Sequence, residues 1–283
     1  SIAHIKAAAK QDKPFFLYLA SNAPHDPRQS PKEHIDKYPL DAISMPKSWL
    51  PESPYKDGIG NSASLRDEAL APFPRTPLAI KTHLQEYYAA ITFLDKQIGE
   101  ILDALEASGK MDNTYIFFTA DHGLAMGRHG FMGKQTLFEH SMKPPLIVAG
   151  PGITQNSICE TPVYLQDIMA TSLELAGITK PDIDFKSFLG LAKGTSTQNS
   201  YEAIYGSYTN LQRSLRQGDY KLIVFPKISK VLLFDLKKDP EEMQNLATDS
   251  KYQATLKQLF ATLQKQQKQF NDPLDISEMA KLL

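Results

Sequence analysis

Apolar residues along this chain follow two alternating patterns, short continuous runs and longer runs with helical spacing. Continuous runs at 15–20, 115–119 and 145–149 have the composition of strands that are buried on both faces. Apolar positions three and four residues apart predict helices at 79–108 and 163–176, each followed by a glycine. The alternation favours an α/β fold with a mostly parallel central sheet flanked by helices.

The pattern changes after residue 200. Short apolar stretches joined by turns predict an antiparallel meander, with strands at 202–208, 214–216, 220–225 and 230–236. A Gln/Lys-rich amphipathic helix is predicted at 252–270. We therefore expect an α/β domain at 1–190 and a small C-terminal subdomain at 191–283, which consists of an antiparallel sheet and a terminal helix. A polar stretch at 194–200 is the predicted linker.

Residues 28–77 keep no hydrophobic periodicity and are interrupted by prolines throughout. Such a length without regular structure is uncommon inside a compact domain. The segment is therefore either a long loop that flanks a functional site or a disordered excursion.

The composition of the chain excludes several functional classes. Of 283 residues, 42% are hydrophobic and 22% are charged, as in an ordinary globular protein. The net charge of −1 provides no basic field for nucleic acid, and no apolar run approaches the length of a membrane span. Cys159 is the single cysteine, which excludes an internal disulfide framework.

Polar and glycine-rich segments follow the predicted strands at their carboxyl ends. Asp121 and His122 end the run at 115–119, and His25 follows the run at 15–20. Ligands of open α/β sheets bind beyond these strand ends, so the three side chains are candidates for a functional site. Lys134 lies in the glycine-rich segment that follows Asp121, where backbone can approach a ligand closely.

Several motifs in this order resemble the C-terminal portion of a type I sulfatase, a member of the alkaline phosphatase superfamily. They are PHDP at 24–27, TADHG at 119–123, GKQTLFE at 133–139, RQGDYKLI at 216–223 and LFDLKKDP at 233–240. The resemblance covers nearly the whole chain. It implies an alkaline phosphatase-like fold and a calcium-dependent hydrolase of sulfate monoesters, whose nucleophile is a formylglycine made from a cysteine.

The resemblance also assigns roles to individual residues. It implies that Asp121 is a metal ligand that contacts the nucleophile and that His122 lies at the metal. Lys134 resembles the lysine that binds the sulfate oxygens, and His25 resembles the histidine that contacts the leaving-group oxygen and donates a proton to it. His129 is expected to line the substrate pocket. Taken alone, an aspartate after a strand would instead be a helix cap, and a lysine after glycine a surface residue.

The nucleophile motif of the resembled family, Cys-x-Pro-Ser-Arg, does not occur in these residues. Cys159 is followed by Glu-Thr and comes after the other candidate site residues, so it does not correspond to the nucleophile. We expect the chain to be a sulfatase that lacks its N-terminal half and to be inactive alone. The missing N-terminal half would then be its protein partner. Family resemblance also favours a periplasmic or extracellular location.

Three functional classes stay open at this point. The first is hydrolysis of a sulfated saccharide or small molecule, for which Tyr208, Gln212 and Arg213 are expected to face a sugar. The second is a phosphatase or phosphodiesterase, although its two-metal members need further histidine ligands, and no histidine follows His140. The third is a catalytically silent module that binds anions.

Overall fold

The computed structural model describes residues 1–178, 182–197 and 201–283. In these ranges the α-helices are α1 (Ile2–Ala8), α2 (Lys32–Ile35), α3 (Pro77–Ala107), α4 (Glu139–Met142), α5 (Asp167–Leu175), α6 (Leu189–Ala192) and α7 (Gln253–Gln269). The strands are β1 (Ile116–Thr119), β2 (Leu146–Ala149), β3 (Ile204–Tyr208), β4 (Gln212–Gln217), β5 (Tyr220–Phe225) and β6 (Lys230–Asp235). No helix in the described ranges is long and apolar enough to cross a membrane.

The chain divides into two compact units. The first unit consists of residues 1–45, 75–117 and 147–153, and the second consists of residues 46–74, 118–146 and 154–283. The boundary that the sequence places after residue 190 stays a prediction. The end of the predicted linker, at 198–200, lies outside the described residues.

Helix α3 is the main element of the first unit and confirms the predicted helix at 79–108. Its N-terminus is capped by Thr76, whose Oγ1 accepts a hydrogen bond from the Ala79 amide at 3.2 Å. Pro77 occupies the first helical turn, where a missing amide hydrogen costs nothing. At the other end Gly109 adopts a left-handed φ of 71°, which stops the helix as predicted.

Strands β1 and β2 form a two-stranded sheet and confirm two of the three predicted α/β strands. The strand predicted at 15–20 is wrong, because no described segment forms a ladder with these residues. Phe16 and Tyr18 in this segment expose 77% and 80% of their surface. A strand requires hydrogen bonds to a neighbour, and an apolar run alone does not supply them. The mostly parallel central sheet stays a prediction.

The second unit is built around the antiparallel sheet β3-β4-β5-β6. This meander confirms the predicted one, although β4 at 212–217 is longer than the predicted strand at 214–216. Gly218, with a φ of 58°, turns the chain between β4 and β5. Side chains on one face of the sheet, including Leu222 and Leu233, pack against α7. Helix α7 confirms the predicted helix at 252–270.

The opposite face of this sheet is covered by loop segments. Ile223, Phe225 and Phe234 form a second apolar cluster, which contains Ile59 of the proline-rich segment and Phe138 of the glycine-rich segment. Ile59 is completely buried. The part of the proline-rich segment in this unit is therefore a packed loop, and the alternative of a disordered excursion is wrong there. Burial on both faces also explains why β5 and β6 read as nearly continuous apolar runs.

Candidate active site

Asp121 and His122 lie directly beyond the carboxyl end of β1. Asp121 Oδ1 accepts a hydrogen bond from the His122 amide at 3.0 Å, and its Oδ2 lies 3.3 Å from His122 Nε2. The Asp121 side chain is 83% exposed, whereas the His122 side chain is 33% exposed. A Cβ on the next residue, Gly123, would lie 1.9 Å from the carbonyl oxygen of His140, so only glycine fits there. The strand end thus presents a carboxylate and an imidazole side by side.

This pair provides part of a metal site. A carboxylate is the hard oxygen donor that calcium prefers, whereas an imidazole nitrogen is a less usual ligand for that ion. Within the part of the chain that the structure describes, Asp121 and His122 do not belong to a cluster of three His, Cys, Asp or Glu ligands. Calcium takes six to eight oxygens, so Asp121 fits as one ligand of a site that other oxygens must complete.

Lys134 lies in a tightly bonded loop of the second unit. The amide of Ala125 donates to the carbonyl of Gly133 at 2.8 Å, and the amide of Gly127 donates to the carbonyl of Phe131 at 2.7 Å. The Lys134 side chain is 21% exposed, and its Nζ lies 3.8 Å from Oδ2 of Asp67. A cationic group with limited exposure on such a loop suits a fixed anion contact.

His25 lies in the first unit, within the segment 22–29, which lines a cavity of about 550 Å³. Its Nδ1 lies 3.0 Å from the carbonyl oxygen and 3.1 Å from the carboxylate of Asp26. The imidazole is about one-third exposed. Asn22, Arg28 and Gln29 line the cavity together with Ala23, Pro27 and Ala90, so His25 faces a mixture of polar and apolar groups.

His129 lies in an aromatic stack of the second unit. Its ring packs on Phe138 with a centroid distance of 4.2 Å and an interplanar angle of 10°, and His140 lies 5.8 Å away. Burial lowers the pKa of His129 to about 4, and burial holds the pKa of His140 well below its ordinary value. Both rings are therefore neutral at physiological pH. A role of His129 in the substrate pocket stays a prediction.

Of the three residues expected to face a sugar, Gln212 and Arg213 are buried, whereas Tyr208 is only partly buried and its role stays a prediction. Gln212 is fully buried and donates through Nε2 to the carbonyl of Gln135 at 2.8 Å. Arg213 is buried and forms an ion pair with Asp272. Tyr208 packs against the apolar cluster beside the sheet. For Gln212 and Arg213 the prediction is wrong, because both polar groups are buried and engaged by partners inside the unit.

Two site residues were missed by sequence reasoning. Asp67 and Glu68 belong to the proline-rich loop, yet their carboxylates bond the segment that carries Lys134. No local pattern marks them, since each is an acid in a loop without periodicity. The only available signal is the pair of adjacent acids in a segment long enough to return to a distant site.

The sulfatase family model matches residues 2–178, and the model of the N-sulphoglucosamine sulphohydrolase C-terminal region matches residues 127–269. The phosphonate monoester hydrolase of Silicibacter pomeroyi has a similar fold, with a TM-score of 0.81 and 25% identity over 95% of this chain and 58% of that one. These matches define the class as alkaline phosphatase-like hydrolases. The chain belongs to the sulfatase family.

Individual relatives show the same relationship. A sulfatase of Formosa agariphila is 30% identical over 262 residues, which are 89% of this chain and 50% of the relative. Arylsulfatase K of Xenopus laevis is 31% identical over 270 residues, or 86% of this chain and 50% of the relative. The chain thus spans about half the length of the curated relatives that it matches.

Proposed function

We propose that this chain contributes part of the active site of a sulfate monoester hydrolase. The observation that carries the proposal is the placement of Asp121 and His122 side by side beyond β1 in a chain of the sulfatase family. Lys134, on a bonded loop of the same unit, adds a cation. A carboxylate for a metal and an ammonium for an anion are what a sulfate ester needs for binding and polarisation.

Each proposed residue has a distinct task in this reaction. The Lys134 ammonium binds the sulfate oxygens, where negative charge is concentrated during transfer of the sulfuryl group. The His25 imidazole donates a proton to the ester oxygen as the bond from sulfur to that oxygen breaks, so the alcohol leaves neutral. The nucleophile must come from elsewhere, because the single cysteine, Cys159, is exposed and lacks the formylglycine motif.

Asp121 would hold the divalent ion together with oxygens from other residues, and His122 would stand beside it. Calcium supplies charge neutralisation and orients the sulfate oxygens when it is bound. The exposed carboxylate of Asp121 is consistent with a metal ligand whose ion is also bound by oxygens from residues other than Asp121 and His122. We propose calcium rather than a softer metal because the first donor is a carboxylate.

We propose a sulfated saccharide or small alcohol as the substrate. One structural neighbour, with a TM-score of 0.79 and 22% identity, was solved with its substrate D-glucosamine-2-N,6-O-disulfate. A curated relative, 30% identical over 246 residues, is the choline-sulfatase of Rhizobium meliloti. The mixed polar and apolar lining of the cavity at His25 is compatible with either kind of alcohol. A periplasmic or extracellular location is part of the same proposal.

Hydrolysis of phosphonate monoesters is a second candidate, since a phosphonate monoester hydrolase shares the fold at a TM-score of 0.81. The test compares an aryl sulfate with the corresponding aryl phosphonate, using the chain joined to a polypeptide that covers the other half of the relatives. We expect faster turnover of the sulfate. Faster turnover of the phosphonate would favour the second candidate.

The metal assignment is tested in the same protein. Asp121→Ala should abolish bound calcium and turnover, and Asp112→Ala, at an exposed acid beyond α3, should change neither. Calcium and activity that survive Asp121→Ala would show that the metal assignment is wrong.

A further inference from the structure

Glu68 is a buried carboxylate that bonds the backbone next to Lys134. The residue is 1% exposed, although a carboxylate has a strong preference for water. Its Oε1 accepts the amide of Gly133 at 3.0 Å, and its Oε2 accepts the amide of Met132 at 3.2 Å. Hydrogen bonds from amides to an ionised acceptor are roughly twice as strong as neutral ones. The acid therefore holds the backbone amides of Met132 and Gly133, the two residues that precede Lys134.

Asp67, the neighbour of Glu68 in the proline-rich segment, contacts the glycine-rich loop at Lys134 and Gln135. Its Oδ2 accepts a hydrogen bond from Gln135 Nε2 at 2.9 Å and lies 3.8 Å from Lys134 Nζ. Its Oδ1 lies 3.9 Å from a guanidinium nitrogen of Arg66. The Asp67 side chain is only 5% exposed, so its charge is weakly screened by water. The Lys134 ammonium thus has a fixed negative neighbour.

The loop has little space in which to shift. A Cβ on Gly133 would lie 2.7 Å from the Cβ of Asp67 and 2.6 Å from the Oε1 of Gln135. The carbonyl of Gln135 accepts hydrogen bonds from Asn61 at 3.2 Å and from Gln212 at 2.8 Å. Residues that lie far from the loop in sequence therefore hold it on both sides of Lys134.

We propose that Asp67 and Glu68 are positioning residues that set the direction of the Lys134 ammonium toward the transferring group. Glu68 fixes the backbone before Lys134. Asp67 fixes the side chains of Lys134 and Gln135. The inference rests on the proposed function of Lys134. Positioning matters because a shift of about 1 Å in a charged group can lower turnover by roughly a hundredfold.

The kinetic test uses the chain joined to a polypeptide that covers the other half of the relatives. Asp67→Asn and Glu68→Gln keep the size of the side chain but remove its charge and replace one acceptor oxygen by an NH2 donor. Each should lower kcat on an aryl sulfate by about tenfold or more while KM changes less than about twofold. The matched control is Asp57→Asn. Asp57 is an exposed acid of the proline-rich segment that pairs with Lys56, and its substitution should leave both constants unchanged.

A second measurement separates positioning from general stability. Combined with Lys134→Ala, either substitution should cause no further loss of kcat, because both act through Lys134. Hydrogen exchange at the amides of Met132 and Gly133 should be at least about tenfold faster in Glu68→Gln, since these amides lose a charged acceptor. Exchange in α7 should stay unchanged.

The possible outcomes distinguish the two proposals. A normal kcat in Lys134→Ala would refute the proposed function. A lowered kcat in Lys134→Ala together with a normal kcat in Asp67→Asn would refute only the positioning role. The same would follow if Asp67→Asn lowered kcat equally in the presence of Lys134 and in the Lys134→Ala background. If Glu68→Gln does not fold, the cycle between Asp67→Asn and Lys134→Ala still decides.

Discussion

Lys134 and His25 are held in different ways, although both are assigned to the same reaction. Lys134 has limited exposure and a buried acid, Asp67, at 3.8 Å. His25 is about one-third exposed, lines a cavity and contacts its neighbour Asp26. The lysine therefore lies beside an acid that is distant in sequence, and the histidine contacts its own sequence neighbour.

Substitution of either residue should impair the completed enzyme. We expect Lys134→Ala and His25→Ala each to lower kcat by roughly a hundredfold or more, the usual loss when charge stabilisation or acid catalysis is removed. Steady-state kinetics on an aryl sulfate measures this effect. Lys237→Ala and His4→Ala, at exposed positions, are the controls and should retain full turnover. Retained turnover in Lys134→Ala would contradict the anion-binding role.

His129 should make the protein sensitive to acid. Its pKa is lowered to about 4 in the folded state by burial, while the unfolded chain titrates near its ordinary value of 6.5. As the pH falls below 6.5 the unfolded state takes up the proton first, so stability is lost until about pH 4. The loss for this group is at most about 3 kcal/mol. His140, whose pKa is also lowered, adds to it.

Urea unfolding between pH 7 and pH 4 measures this loss. His129→Phe keeps the stack on Phe138 but removes the titrating group, so its stability should fall less steeply over the same range. Equal slopes for the two proteins would show that His129 is not neutralised by the fold.

Sequence motifs identified the residues whose role depends on local context. Asp121 and His122 directly follow a strand, so their position beyond β1 could be predicted from the apolar run alone. Asp67, Glu68 and Gln212 could not be found in this way. Their hydrogen bonds reach residues 64 to 153 positions away, and no local periodicity reports such contacts.

At the scale of elements, a buried charge cluster joins strand β5 to helix α4. Lys221 is 2% exposed and lies 2.8 Å from Glu139 and 2.9 Å from Glu242. Burial raises the pKa of Glu139, but Lys221 and Arg216 outweigh it, so the pKa lies below its ordinary value. For Glu242 burial outweighs the same lysine, and the pKa is raised. One ammonium therefore compensates two buried carboxyl groups.

Removal of this ammonium should be strongly destabilising. Lys221→Met keeps the length of the side chain but leaves Glu242 buried without its cation and Glu139 with Arg216 alone, and we expect a loss of about 3–5 kcal/mol. Chemical denaturation measures the change. Lys238→Met removes an exposed partner of Asp235 and should change little. Similar stabilities for both variants would mean that the cluster does not join the elements energetically.

Elements with strong periodicity and clear end signals were predictable. Helix α3 has its cap at Thr76 and its stop at Gly109, and β3–β6 are separated by turn residues. The segment 15–20 carries the same apolar signal as β1 but forms no strand, since strand formation requires a partner as well as composition. Local sequence contains no information about that partner.

At the scale of the molecule, large apolar side chains of the first unit face solvent. Phe16, Tyr18 and Ile147 are exposed by 77%, 80% and 61%. The chain also spans about half the length of its curated relatives. Large exposed apolar patches mark interfaces or aggregation liabilities. We infer that a polypeptide corresponding to the other half of the relatives covers these side chains.

Expression of the 283-residue chain alone should therefore give an aggregating or oligomeric product. Co-expression with the complementary half should give a soluble complex, and light scattering with size-exclusion chromatography distinguishes the two states. Phe16→Ser with Tyr18→Ser should reduce aggregation of the chain alone and weaken the complex. A monomeric chain that melts cooperatively at high concentration would contradict this inference.

The most direct test of the proposed function is turnover of an aryl sulfate by the chain alone and by the chain combined with the complementary half that carries a formylglycine. We predict no turnover by the chain alone, because loss of a nucleophile lowers kcat by about six orders of magnitude in hydrolases with a catalytic triad. The combination should be active in calcium and should lose activity with Lys134→Ala. Turnover by the chain alone that disappears in Cys159→Ser, or an inactive complex of the two halves, would contradict the proposal.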